Sequence, residues 1–378
     1  MKNPVYADVE NGDNPELHLS NKNQHMLQTA ISYLNTLRAI VSDIEISENF
    51  CIYHPNFEKF ALPSDVVARF KRNPAQLQQK YYSLLLRNFI FGIYFNASLQ
   101  NVLNKQNTRV TGIYALHHNL ENNSILGIDE EFREQLHEHN HGVGYYDSGW
   151  EVLRREPDAS LAVIKNGLTM YADSNHLQKN ALLSKPGDYI SVQLPKNRLQ
   201  NGYYVAVSNC GQPEYSSVVS RIYFNIASNG AIPLIDSLTR TLSQEIPFSF
   251  YVLCHPAAFG RYDSCILEFQ KQDFSTIRKV LQIVYSQLKS HFLDSIPLFT
   301  KFLAPGLAVA EEPQLNLKRE SFGMNRCQII ANALLETWQS SQESIECRMQ
   351  AIENSFNSAG INLEHPYLNP NSEDIYYL

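Results

Sequence analysis

The sequence predicts an α+β protein: a helical N-terminal half followed by an antiparallel sheet covered by helices. Three observations carry that expectation. Apolar residues recur at helical spacing through much of the first half. Past Glu156-Pro157-Asp158 the chain turns into short β-prone runs rich in Val, Ile, Tyr and Phe, with so few residues between several of them that neighbours pair antiparallel. Two amphipathic stretches interrupt those runs, and more helices follow, which is how helices come to lie on one face of a sheet.

In order, residues 1–24 read as a flexible polar tail, 25–156 as a mainly helical region and 157–378 as the α+β core. Leu27, Ile31, Leu34, Leu37, Ile40 and Val41 set a first helix, and Gln76 to Asn96 a second. Glu130 to His139 makes a third, opened by Asp129 as N-cap. The Asn-rich block 101–125 reads as a loop. "SLAVIKNGLTMYAD" is a hairpin signal, because Asn166-Gly167 tolerates the positive φ of a type I′ turn. "DYISVQLP", "GYYVAVSN", "SRIYFNIA", "PFSFYVLC" and "SCILEF" supply further strands. Helices are expected near Pro233–Ser243, over Ser275–Phe292, from Asn325 to Ser340, and on to about Asn357.

Bulk properties narrow the function. The 378 residues are 44% hydrophobic and 18% charged, and no run approaches the ~18 apolar residues of a membrane span. The N-terminus lacks a signal-peptide core, and six scattered cysteines without a C-x-x-C pair suit reduced thiols in a cytoplasmic protein. A net charge of −7 gives no basic field for nucleic acid, so any bound anion is held by a few placed arginines.

Arginines do stand at element ends: Arg221 opens "RIYFNI", Arg261 precedes "CILEF", and Arg326 starts a helix beside Ser321, Gly323 and Asn325, with Lys301 near them in sequence. A helix start with a basic side chain is half of a phosphate cradle. The competing expectation is structural ion pairing, Arg261 with Asp263 for instance. Glu311 and Glu312, adjacent and so pointing apart, read as capping or salt-bridging residues. His137, His139 and His141 in "LHEHNHGVGYYDSGW" could face a metal from a strand, but the flanking Gly142 and Gly144 suggest an irregular loop, and no metal is expected. There is no P-loop, G-x-S-x-G or G-x-G-x-x-G.

The segments "LLRNFIFGIYFN", "GYYVAVSNCG", "RIYFN", "IPFSFYVL", "GRYDSCILEF", "PLFTKFLAPGLAVAEEP", "ESFGMNRCQIIANALL" and "LNPNSEDIY", in order over roughly 75–378, resemble the HopA-type effector family. That family includes the HopA-like lyases of class V lanthipeptide and thioamitide biosynthesis. The resemblance implies a metal- and cofactor-independent phosphoserine/phosphothreonine lyase. Its substrate would be a ribosomal precursor peptide phosphorylated by a separate kinase, leaving dehydroamino acids. Arg221, Arg261 and Arg326 would then grip the phosphate. The family places a lysine after "IPFSF" where this chain has Tyr251. Three alternatives follow: Lys301 serves as base, Tyr251 acts as a phenolate, or the chain is a non-catalytic effector-like or scaffold protein. His255 would serve as the acid for the leaving group.

Overall fold

A computed structural model of the chain describes residues 33–104, 127–178, 181–200, 202–314 and 320–378. The expected tail 1–24 and most of the block 101–125 lie outside these residues.

The architecture is α+β. Residues 33–43 form helix α1, then a small sheet of β1 (Glu45–Ser47), β2 (Cys51–Tyr53) and β3 (Phe60–Ala61) follows, which the sequence did not announce. Helix α2 (Ser64–Phe70) leads into α3 (Ala75–Ile90), which continues as a π-helical turn over Phe91–Phe95 and is followed by α4 (Gln100–Leu103). The amide of Asn96 donates to Phe91 O at 3.0 Å, the wider ring of a π turn. Helix α5 (Glu130–Glu138) is capped as expected, Asp129 Oδ1 accepting from the Phe132 amide at 2.9 Å.

Strand β4 (Tyr145–Arg155) pairs with β5 (Leu161–Lys165) and β7 (Tyr189–Leu194), and β5 pairs with β6 (Leu168–Ala172), giving the order β6-β5-β4-β7. Asn166 (φ 52°) and Gly167 (φ 80°) make the expected turn between β5 and β6. Gly142 and Gly144 do stand in irregular backbone. Strand β4 begins just after them, on the side of residue 156 expected to be helical. Register shifts at Asp147/Trp150 and Val152/Arg154 break the period-two alternation that would have revealed it. This sheet has its own core around Trp150, Val152, Val163 and Val192.

The main sheet collects β8 (Asn197–Gln200), β9 (Tyr203–Val207), β10 (Val219–Phe224), β11 (Phe248–Leu253), β12 (Cys265–Gln270), β13 (Lys301–Ala304) and β14 (Leu307–Glu311), in the order β13-β14-β10-β12-β11-β9-β8, every pair antiparallel. Helix α6 (Ser228–Leu242) links β10 to β11, and α7 (Phe274–Leu288) follows β12; they pack against each other. Ile222, Phe224, Phe250, Leu267 and Phe269 alternate onto one face, where Phe269 stacks on Phe274 of α7. Helices were expected on that face alone. The other face is covered too, at its β10–β14 end. Tyr223 meets Phe95 of the π turn edge-on, and Phe95 packs on Phe322 of α8 (Phe322–Gln339). Close approach there needs Gly323, where a Cβ would lie 2.5 Å from the Phe95 ring. Helix α9 (Ile345–Ser358) packs on α8. No disulfide forms among the described residues, four of the six cysteines are buried, and no helix among the described residues is long and apolar enough to cross a membrane.

Candidate functional site

The second sheet face also carries a band of polar residues, buried or half-buried. Strand pairing lays them in two adjacent rows. Val207, Ser249, Glu268, Arg221 and Ala310 stand side by side across β9, β11, β12, β10 and β14. Arg198, Val205, Tyr251 and Ile266 form the next row. Since successive side chains alternate, every second residue of each strand meets on this face.

Glu268, 1% exposed, is the hub. Its Oε1 accepts from Arg221 Nε at 2.9 Å and from Arg221 Nη2, while Oε2 accepts from Tyr251 OH at 3.0 Å and Tyr215 OH at 3.4 Å. Arg198 Nη2 reaches the Tyr251 hydroxyl at 3.4 Å. Burial, and next the charge of Glu268, push the Tyr251 phenol well above its ordinary pKa. Tyr251 is therefore a neutral donor here and not a phenolate. Two groups on this face find no partner: Arg198 Nη1 and Ser249 Oγ are buried without a hydrogen bond.

Arg221 also faces Glu312, Nε to Oε1 at 3.2 Å. Glu312 in turn answers the question of what the α8 start binds. Its Oε1 accepts from the Phe322 amide at 3.1 Å, beside the Ser321 cap whose Oγ accepts from Met324 N at 3.4 Å. The anion on that helix end is the chain's own carboxylate.

Arg326, expected at a helix start as half of a phosphate cradle, is 1% exposed. Its Nε donates to Pro366 O at 2.9 Å, Nη2 to Leu368 O at 3.1 Å and Nη1 to Asn325 Oδ1 at 2.6 Å, with the guanidinium over the Phe322 ring. Burial draws its pKa down to about 10, so it remains charged at neutral pH. Lys301 pairs with Asp374 and sits 5.4 Å from the Tyr367 ring centroid. Glu311 accepts from the Asn369 amide at 2.9 Å, Ser372 Oγ at 2.8 Å and Tyr376 OH at 3.1 Å. Arg326, Lys301 and Glu311 together bind the C-terminal segment 366–376 across the sheet. Glu311 and Glu312 point apart, as their adjacency required.

Arg261 pairs with Asp263, Nε to Oδ1 at 2.8 Å, and donates to Tyr203 OH at 3.0 Å; Asp263 also accepts from Asn96 Nδ2 at 3.1 Å. The expected ion pair is what forms. His255 Nδ1 accepts from the Ala257 amide at 3.2 Å and caps a short turn. The three histidines take separate partners: His137 with Tyr204 OH, His139 with Gln135 O, and His141 with Asp236 at 2.8 Å. The structure thus brings Arg221 and Tyr251 together on Glu268, sets Arg221 and Arg326 around Glu312, and gives Arg261, Lys301 and His255 other neighbours. Arg198, Tyr215, Ser249 and Glu268 were missed. Glu268 did leave a signal, a carboxylate inside an otherwise apolar β run, "CILEF".

Residues 194–368 match the model of the HopA1 effector protein family. This region is shorter than the 75–378 over which the quoted segments run. No curated protein matches the chain. Among solved structures it is similar to the effector protein from Pseudomonas syringae pv. tomato strain DC3000, at 16% identity and a TM-score of 0.42, over 78% of this chain and 96% of that one. It is also similar to the effector protein from Pseudomonas syringae pv. syringae strain 61, at 15% identity and a TM-score of 0.40, over 78% and 98%.

Proposed function

We propose that this chain, HopA1-like over 194–368, is a phosphoserine/phosphothreonine lyase for a kinase-modified ribosomal peptide, and that the face around Glu268 is its active site. The observation supporting it most is the incomplete hydrogen-bond set there. Buried polar groups are nearly always satisfied, yet Arg198 Nη1 and Ser249 Oγ are not. A phosphate oxygen seated between Arg198 and Arg221 supplies the missing acceptor, and a guanidinium fork suits it. In elimination a base takes the Cα proton, its electron pair becomes the Cα=Cβ bond, and the Cβ–O bond breaks toward phosphate. Glu268 is the carboxylate placed to take the proton. Arg198 and Arg221 hold the charge that develops on the leaving group, and Tyr251 donates from beside them.

A second reading, a protein that binds the phosphopeptide without chemistry, has its own observation. Cationic groups expected to do the work already carry partners: Lys301 has Asp374, and Arg221 has Glu268 and Glu312. One experiment separates the two. The full chain is incubated with a phosphoserine peptide and the mixture followed by mass spectrometry. The lyase reading expects loss of phosphoric acid from the peptide, abolished by Arg198→Ala. Bound but unchanged phosphopeptide leaves only the second reading, and no binding defeats both.

A further inference from the structure

A second site lies apart from the Glu268 face. A cavity of about 500 Å³ opens between the π turn after α3 and the segment 294–302. This is the size of pocket that takes small ligands. We infer that it binds a small organic cation, a primary amine carrying an apolar or aromatic body.

The backbone on both sides is held in costly conformations. The π turn Phe91–Phe95 projects Ile93 and Tyr94 into the cavity, and the Gln100 side-chain amide donates to the Ile93 carbonyl at 2.8 Å. Across the cavity Phe299 adopts φ 68°, a conformation that bulky residues rarely enter. Its ring lies 6.2 Å from that of Tyr33 and 5.5 Å from that of Phe356. π turns and strained non-glycine residues gather where a fold serves a ligand. Here both border one space.

The lining sets the ligand's charge. Tyr94, Tyr262, Phe299 and Phe302 give it aromatic walls. Among the described residues that line it, Asp294 is the only charged side chain, it is exposed, and no lysine, arginine or histidine is present. Two of the hydroxyl donors that line it are spent within the protein: Tyr33 OH donates to Leu363 O, and Thr300 Oγ1 to Pro297 O. Aromatic faces with a carboxylate at the rim attract a cation and repel an anion.

The test uses three probes with the same ring on the full chain, measured by calorimetry and ligand-observed NMR: phenethylamine, 2-phenylethanol and phenylacetate. Phenethylamine should bind about tenfold more tightly than the alcohol, the size of one partly desolvated cation–π and carboxylate contact, and phenylacetate should not bind. Asp294→Asn, an exposed change that leaves the packing alone, should reduce the amine to the level of the alcohol. Ile296→Trp, which fills the cavity, should abolish binding of both. Equal binding of amine and alcohol, an unaffected Asp294→Asn variant, or no binding of the amine overturns the inference.

Discussion

Replacing Arg326 by alanine should destabilise the protein severely, and the size follows from its contacts. The guanidinium is buried and donates to two carbonyls, Pro366 O and Leu368 O, in a segment that is itself buried. Alanine leaves both acceptors without a partner, at about 1–3 kcal/mol each. The empty volume of the side chain adds to that, so a total of about 3–5 kcal/mol is expected. An exposed arginine at a helix end would cost less than about 1 kcal/mol. Urea unfolding measures the loss, and limited proteolysis reports whether residues 366–376 come free. Arg326→Lys should fall between, since one ammonium replaces a planar fork that spans two carbonyls. If Arg326→Ala unfolds within about 1 kcal/mol of the parent, with the C-terminal segment still protected, the anchoring argument fails.

Gly323→Ala should destabilise by about 1–3 kcal/mol, because its Cβ would meet the Phe95 ring at 2.5 Å and that of Phe91 at 2.8 Å; thermal unfolding checks it. Burial raises the Asp374 pKa, but the hydrogen bond and charge of Lys301 outweigh burial and leave it below the usual carboxylate range. Asp374 therefore contributes stability that is complete above its unfolded pKa near 4 and is lost as pH falls through the lower folded value. Asp374→Asn should remove that part of the acid dependence, read from unfolding midpoints between about pH 2 and 5. Tyr251→Phe should cost about 1–2 kcal/mol by taking one donor from the buried Glu268, measured by urea unfolding. Tyr251→Lys sets against the same carboxylate the lysine that the resemblance to HopA-type proteins implies, and under the lyase reading should raise phosphopeptide turnover; an unchanged rate would remove any role for that position in proton transfer.

What the sequence determined was local. The Asp129 cap, the Asn166-Gly167 turn, the helical spacing of α7 and the short β-rich runs of β9 to β12 each depend on residues a few positions apart, and each is found where the pattern put it. The bulged strand β4 escaped because its two irregularities erase the period. The site was legible only in pieces. Arg221 and Tyr251 stood out as residue types, but their meeting at Glu268 requires β12 to lie between β10 and β11, an order no local signal encodes. Arg326 shows the same division most plainly. Its place at a helix start was readable, and by itself it suggested an anion site. The tertiary structure decided otherwise, bringing Glu312 to the helix amides and the carbonyls of Pro366 and Leu368, some forty residues on, to the guanidinium. A charged group's role is fixed by whichever partners reach it first once water is excluded, and here those partners come from distant parts of the chain.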